Sequence, residues 1–185
     1  MIKVVKKNGK LVKKEVSGQI TELDAYPVDQ TFMKTFDPQY RATLDFVSRK
    51  IGRMSSTISS KDAFFGPSAF IDLLHQLQMD LTGAEISFCA PLSPTAEIKE
   101  GDIYMSDMFN LYRYENMLYT MKLSGKEIKG VLEMSYALWT NQMKSASDHL
   151  LLLDDSKSGF GRFKNPTFNF DSAAGIIYTV DVTKP

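Results

Sequence analysis

Residues 124–127 read Ser-Gly-Lys-Glu, and they constrain the fold more than any other stretch. Serine followed three positions later by glutamate is the spacing of a capping box. There the hydroxyl and the carboxylate each satisfy an orphan amide at a helix start. Ile128, Val131, Leu132, Ser135 and Leu138 follow at helical spacing, so one face of the predicted helix is mostly apolar. Upstream, Tyr119, Met121 and Leu123 alternate with Leu118, Thr120 and Lys122, the period of a strand. Before that lies Tyr112-Arg113-Tyr114-Glu115-Asn116, two aromatics, a guanidinium and an amide in a predicted loop between two strand-like runs.

The remaining segments alternate in kind. Residues 2–5 and 11–16 flank Asn8-Gly9, the favoured pair for a tight type I′ turn, and predict a β-hairpin. Its six lysines between residues 3 and 14 read as the solvated face of a strand pair rather than a binding patch. Residues 25–35, with Pro27, read as an irregular connection. Asp37-Pro38 predicts a helix start, with Asp as N-cap and Pro at the first helical position; Tyr40, Leu44, Val47 and Ile51 line one face and Gly52 is the stop. Residues 53–62, rich in serine, read as a loop or linker.

Gly66-Pro67-Ser68 opens a second helix with Phe70, Leu73, Leu74, Leu77 and Leu81 as its apolar stripe, ended by Gly83. Residues 86–89 predict a short buried strand, and the prolines at 91 and 94 require a loop. Residues 145–166 are polar and predict an exposed, partly mobile insertion; residues 175–182, β-branched and aromatic, predict a strand. Helices and strands interleave with hairpins and uneven connections. The fold class expected is α+β, a mixed sheet with packed helices.

A chain of 185 residues fits one domain, or one domain plus a piece of another. With 22 basic and 22 acidic side chains, the balance gives no electrostatic case for a nucleic-acid polymer or an anionic membrane as main partner. No apolar run approaches transmembrane length, and the lysine-rich start has no apolar signal core. Both ends fall at strand-like runs, so the chain reads as a piece of a longer protein.

The residues offer little catalytic chemistry. His75 lies beside an apolar stripe and reads as a structural or surface histidine; His149 sits in the polar insertion. Asp154-Asp155 reads as solvated. Cys89 ends an apolar run, as a core thiol does, and Ser68 is explained by capping. There is no Gly-x-Ser-x-Gly elbow and no glycine-rich phosphate loop. No catalytic residue and no metal ligand is assigned in this chain. The Tyr112–Asn116 stretch is the better functional candidate: flat aromatic faces beside amide and guanidinium donors suit a nucleobase, unless the tyrosines simply pack on a sheet.

In order, these segments resemble the C-terminal domain of the 5′-nucleotidase family, which includes bacterial UDP-sugar hydrolases and 2′,3′-cyclic-nucleotide 2′-phosphodiesterases. The resemblance runs from about residue 66 to 182. It rests on Gln78-Met79-Asp80-Leu81-Thr82-Gly83-Ala84-Glu85, Gly101-Asp102-Ile103, Arg113-Tyr114-Glu115-Asn116, Leu123-Ser124-Gly125-Lys126-Glu127-Ile128, and Gly175-Ile176 through Tyr178 and Asp181. It implies that residues 1–35 end a preceding metallophosphatase domain, 36–62 form a linking helix and loop, and 63–185 are a C-terminally truncated substrate-recognition domain. A divalent metal pair, such as zinc or manganese, would lie in that separate N-terminal domain, this domain's partner within the longer, periplasmic or secreted protein.

The family's Pro-Phe-Gly-Asn loop aligns with Arg113-Tyr114-Glu115-Asn116. The resemblance therefore makes Tyr114 the stacking residue for a nucleotide or nucleoside substrate, Asn116 its amide contact, and Arg113 a compensating cation. Ala90-Pro91-Leu92-Ser93-Pro94-Thr95 replaces the family's Gly-Gly-Gly-Ile-Arg loop, with Thr95 at the arginine position. Two further arginine positions fall near Ser55 and Ser59. These departures support an alternative: a degenerate, non-catalytic binding or scaffold domain of the same fold. An autonomous hydrolase fits least, because only two histidines are present.

Overall fold

A computed structural model describes residues 1–159 and 161–184. The chain divides into two compact units, residues 1–43 and 44–185. In the first, β1 (Ile2–Lys7) and β2 (Lys10–Val16) form the expected antiparallel hairpin. Asn8 and Gly9 both take positive φ, 52° and 76°, as a type I′ turn requires. All of the strand residues, lysines and aliphatics alike, are exposed.

Helix α1 (Gln30–Val47) starts earlier than the Asp37-Pro38 signal predicts. Asp29 is the cap: its Oδ1 accepts from the amides of Thr31 at 2.8 Å and Phe32 at 3.0 Å. Pro38 lies inside the helix and Asp37 instead pairs with Arg41 one turn on. A real cap eight residues upstream outcompetes the internal signal, because satisfying two orphan amides outweighs one missing donor. The residues predicted as an apolar face, Tyr40 and Leu44 among them, remain largely exposed.

In the second unit, the stretch predicted as a loop from 53 to 62 contributes two strands and a 3₁₀ turn. Strand β3 (Lys50–Met54) begins where Gly52 was expected only to stop a helix, and β4 (Ile58–Ser59) follows. Their partners lie far along the chain: β3 pairs with β7 (Gly101–Tyr104), and β4 with β6 (Glu97–Ile98). Between them, β5 (Ser87–Cys89) pairs with β8 (Ser172–Ala174). The class is α+β as expected; among the described residues the strands pair as four two-stranded antiparallel ladders, where a mixed sheet was expected.

Helix α2 (Ala69–Thr82) has the predicted ends, with Ser68 accepting from the Ile71 amide and Gly83 left-handed at φ 68°. Its buried side is rotated from the leucine stripe. Phe70, Ile71, Leu74 and His75 are buried, whereas Leu73, Leu77 and Leu81 face solvent. A core cluster of Phe70, Ile71 and Leu74 with Ile58, Cys89, Ile98 and Leu111 fills the space under β4–β6. Each such side chain contributes about 1.5–3 kcal/mol on burial.

Helix α3 (Met105–Leu111) stands before the aromatic loop, where a strand-like run was expected. Helix α4 (Gly125–Trp139) begins at the capping box, with both reciprocal bonds present. Leu132, Ser135 and Trp139 are its buried positions. Trp139 stacks on Phe170 with centroids 5.8 Å apart, and Phe64 stacks on Phe163 at 4.8 Å. With Leu151 these rings form a second core.

That second core corrects the expected exposed insertion at 145–166. Leu151 and Phe163 are buried, and bridges join Thr140 to Leu151 and Leu153 to Phe163. Apolar residues scattered in a polar segment reach a core that the local sequence does not show. Phe160, within that insertion, and Pro185 lie outside the described residues. Two predicted strands are also absent: residues 118–123 and 175–182 join no ladder. Alternation supplies a face, but a strand needs a hydrogen-bonding partner as well.

Candidate functional site

The loop from Tyr112 to Asn116 leaves the C-terminus of α3. Its base is fixed, since the Tyr112 amide donates to the Met108 carbonyl at 2.9 Å and Tyr112 packs against the first core. From there the chain turns, with the Asn116 amide donating to the Tyr114 carbonyl at 3.1 Å. Asn116 Nδ2 donates to the Tyr112 hydroxyl at 2.8 Å, which orients the carboxamide. Tyr114 is 56% exposed, so its ring does not simply pack on a sheet. Arg113 is exposed as well. The loop thus brings a free aromatic face, a partly anchored amide and a guanidinium together within four residues.

The positions discussed for missing arginines are elsewhere. Ser59 sits in β4 and accepts from the Lys61 amide at 3.2 Å. Exposed Thr95 is within 3.3 Å of the Ser93 hydroxyl.

His75 is a buried histidine, not a surface group. Its Nδ1 lies 2.9 Å from the Ser87 hydroxyl and its Nε2 3.1 Å from that of Ser172. Ser87 donates its own proton to Gln78 Oε1 at 2.6 Å. Nδ1 therefore donates to Ser87, while the single proton of the Ser172 hydroxyl is shared between Nε2 and the Cys89 carbonyl 3.3 Å away. Burial pushes the imidazole below its ordinary range, against the pull of Asp72, so it is neutral at pH 7. Cys89 is a core thiol pushed up to about 12 by burial, which removes it as a nucleophile. Asp154 accepts from the amide and hydroxyl of Ser156 and pairs with Lys157.

Among the described residues, no group of three or more His, Cys, Asp or Glu is placed to hold a metal ion. The side chains here do not fit a metal pair. No described helix is long and apolar enough to cross a membrane.

A cavity of about 600 Å³ lies between α2, α4 and the segment after β8. Its walls include Phe65, Tyr136, Trp139 and Tyr178, with His75 and Ser172 on one side. Sequence reading missed it. The signal available was Tyr136 and Trp139, one turn apart on a helix; Tyr178 joins them only through folding.

Residues 49–185 match the family described as 5′-nucleotidase, C-terminal domain. This chain belongs to that family. The Bacillus subtilis protein named trifunctional nucleotide phosphoesterase YfkN is 27% identical to it over 92% of this chain and 12% of its own length. Proteins named 2′,3′-cyclic-nucleotide 2′-phosphodiesterase/3′-nucleotidase are similar too. The one from Haemophilus influenzae is 28% identical over 80% of this chain and 25% of its own length. The one from Yersinia enterocolitica is 26% identical over 83% and 26%. A Staphylococcus aureus chain described as a 5′-nucleotidase, crystallised with alpha-ketoglutarate, shares the fold. Its TM-score is 0.62 at 20% identity, covering 95% of this chain and 32% of that one. This member of the 5′-nucleotidase family therefore spans about a quarter or less of the curated relatives it matches. The match begins at residue 49, so β3 and β4 fall within the family domain.

Proposed function

We propose that this 5′-nucleotidase C-terminal domain presents a nucleotide, or a 2′,3′-cyclic nucleotide, to phosphoester hydrolysis carried out elsewhere in a longer protein. Tyr114 stacks on the base, Asn116 reads its edge, and Arg113 meets the phosphate. The observation that carries this reading is the exposed Tyr114 ring, 56% accessible, beside an Asn116 oriented by Tyr112. Asn116 keeps its carbonyl oxygen and one amide hydrogen for a base, so it can both accept and donate. The names of the relatives support the substrate class. The metal pair and the metal-activated water belong to the partner domain. A periplasmic or secreted setting is part of the same reading.

The test uses the full-length protein. Tyr114→Ala should weaken nucleotide binding by about 1–3 kcal/mol, the usual worth of one base–aromatic stack. Tyr114→Phe should be nearly neutral. Unchanged Michaelis constants for several nucleotides in Tyr114→Ala would overturn the assignment. A second reading, a scaffold domain that has lost nucleotide binding, draws on Thr95, a neutral side chain where the family places an arginine. Full-length protein with no measurable nucleotide affinity would favour it.

A further inference from the structure

Residues 117–123, Met-Leu-Tyr-Thr-Met-Lys-Leu, join the Tyr114 loop to the cap of α4. Among the described residues, none of their backbone amides or carbonyls takes part in a hydrogen bond. Water serves these groups while they are exposed, and they stay free to form a ladder. The side chains are as open as the backbone. Met117, Tyr119 and Met121 are 76%, 77% and 75% exposed. On a strand, Met117, Tyr119, Met121 and Leu123 share one face, and Leu118, Thr120 and Lys122 share the other. A run with this alternation, no proline and a single charge is one that native proteins pair or cover, because left open it templates aggregation.

The pattern specifies the occupant. A row of free amides and carbonyls is matched by another backbone, as in strand addition. The face of Met117, Tyr119, Met121 and Leu123 calls for apolar cross-strand neighbours. Lys122, on the opposite face, makes no ion pair among the described residues, so an acidic residue across from it would complement its charge. Length indicates the source. This chain covers 12%, 25% and 26% of the three curated relatives described above, so most of each relative lies outside the matched part. A strand carried on the same polypeptide reaches the edge at high effective concentration, without opening it to other chains.

We infer that residues 117–123 are an acceptor edge for an added β-strand supplied by the rest of the longer protein, with apolar side chains at alternate positions and a carboxylate facing Lys122. Pairing fixes the exit of the Tyr114 loop, whose entry is already fixed by Tyr112 against the first core. That consequence for substrate binding rests on the proposed function; the edge itself rests on the exposed, unpaired run alone.

Amide exchange in the full-length protein tests this. Alternate amides of 117–123, those facing the added strand, should exchange about a hundredfold or more slowly than the exposed residues 155–159. The protection should persist on dilution, as it does for a strand of the same polypeptide. Met121→Lys alters a side chain that is exposed in this chain, yet it should lower the Tm of the full-length protein by several degrees. Should that variant fail to fold, Lys122→Glu is the second: it should lower the Tm by charge repulsion, and Lys122→Arg should not. Exchange as fast as in residues 155–159, or an unchanged Tm in both Met121→Lys and Lys122→Glu, would overturn the inference. Protection that disappears on dilution, together with a dimeric mass, would assign the edge to a second copy and overturn it too. Slow exchange with KM unaffected by Tyr114→Ala keeps the edge and removes the proposed function. Fast exchange with a raised KM for Tyr114→Ala does the reverse.

Discussion

The imidazole of His75 and the hydroxyl of Ser172 meet at 3.1 Å across 97 residues of chain. Through Ser87 on its other nitrogen, His75 ties α2 to both strands of the β5–β8 ladder. Because burial lowers its pKa, the unfolded chain takes up the proton first as pH falls. Stability from this group is complete above about 6.5, its ordinary value, and is lost as pH drops from there to the depressed folded value. The urea midpoint should therefore fall on acidification through this window. His75→Gln should flatten that slope; an unchanged slope would refute the assignment. Asp171, raised by burial, acts in the opposite sense in the carboxylate range and cancels in the comparison of the two proteins.

Gly175 takes φ +87°, and a Cβ there would overlap the Glu85 carbonyl oxygen. Gly175→Ala should cost about 2–3 kcal/mol. Gly83 at the end of α2 is also left-handed, but a Cβ there meets nothing within 4 Å. Gly83→Ala should cost only about 1 kcal/mol. Denaturant unfolding of both variants tests the order.

Glu127 accepts from the amide and the hydroxyl of Ser124, both at 2.7 Å, and these bonds hold its carboxyl below the usual range. Its contribution is present above pH 4.5 and is lost as pH falls through the depressed folded value. Glu127→Gln should therefore remove an acid-dependent step in the helicity of α4, read by the exchange of its first-turn amides.

Within residues 145–166, exchange should be uneven. The amides of Leu152, Asp154 and Lys164 donate to the carbonyls of Trp139, Arg162 and Leu152 at 3.0, 2.8 and 3.1 Å. They should exchange about tenfold or more slowly than residues 155–159, which are exposed. Uniformly fast exchange would contradict the packing of Leu151 and Phe163.

The chain of 185 residues by itself should hydrolyse no phosphoester. Its histidines serve a buried hydrogen-bond network and a loop, and its cysteine is a core thiol. Metal-dependent turnover by the purified chain would refute this.

What the sequence determined by itself was local. The Asn8-Gly9 turn, the Ser68 and Ser124 caps, the Gly83 stop and the exposure of Asp155 each depend on residues within four positions of one another. The ordered motifs 78–85, 113–116 and 123–128 likewise pointed to the family. Local signals misled where a competitor or a partner lay elsewhere: Asp29 displaced Asp37 as the cap of α1, and the alternating runs at 118–123 and 175–182 found no ladder. Tertiary structure decided which face of α2 is buried, because β5 and β8 meet His75 and not Leu77. It also drew Leu151 and Phe163 out of a polar segment into the rings of Trp139 and Phe170. Ladder pairing and core packing join residues separated by many tens of positions, and no periodicity in either segment alone records which partner it will meet.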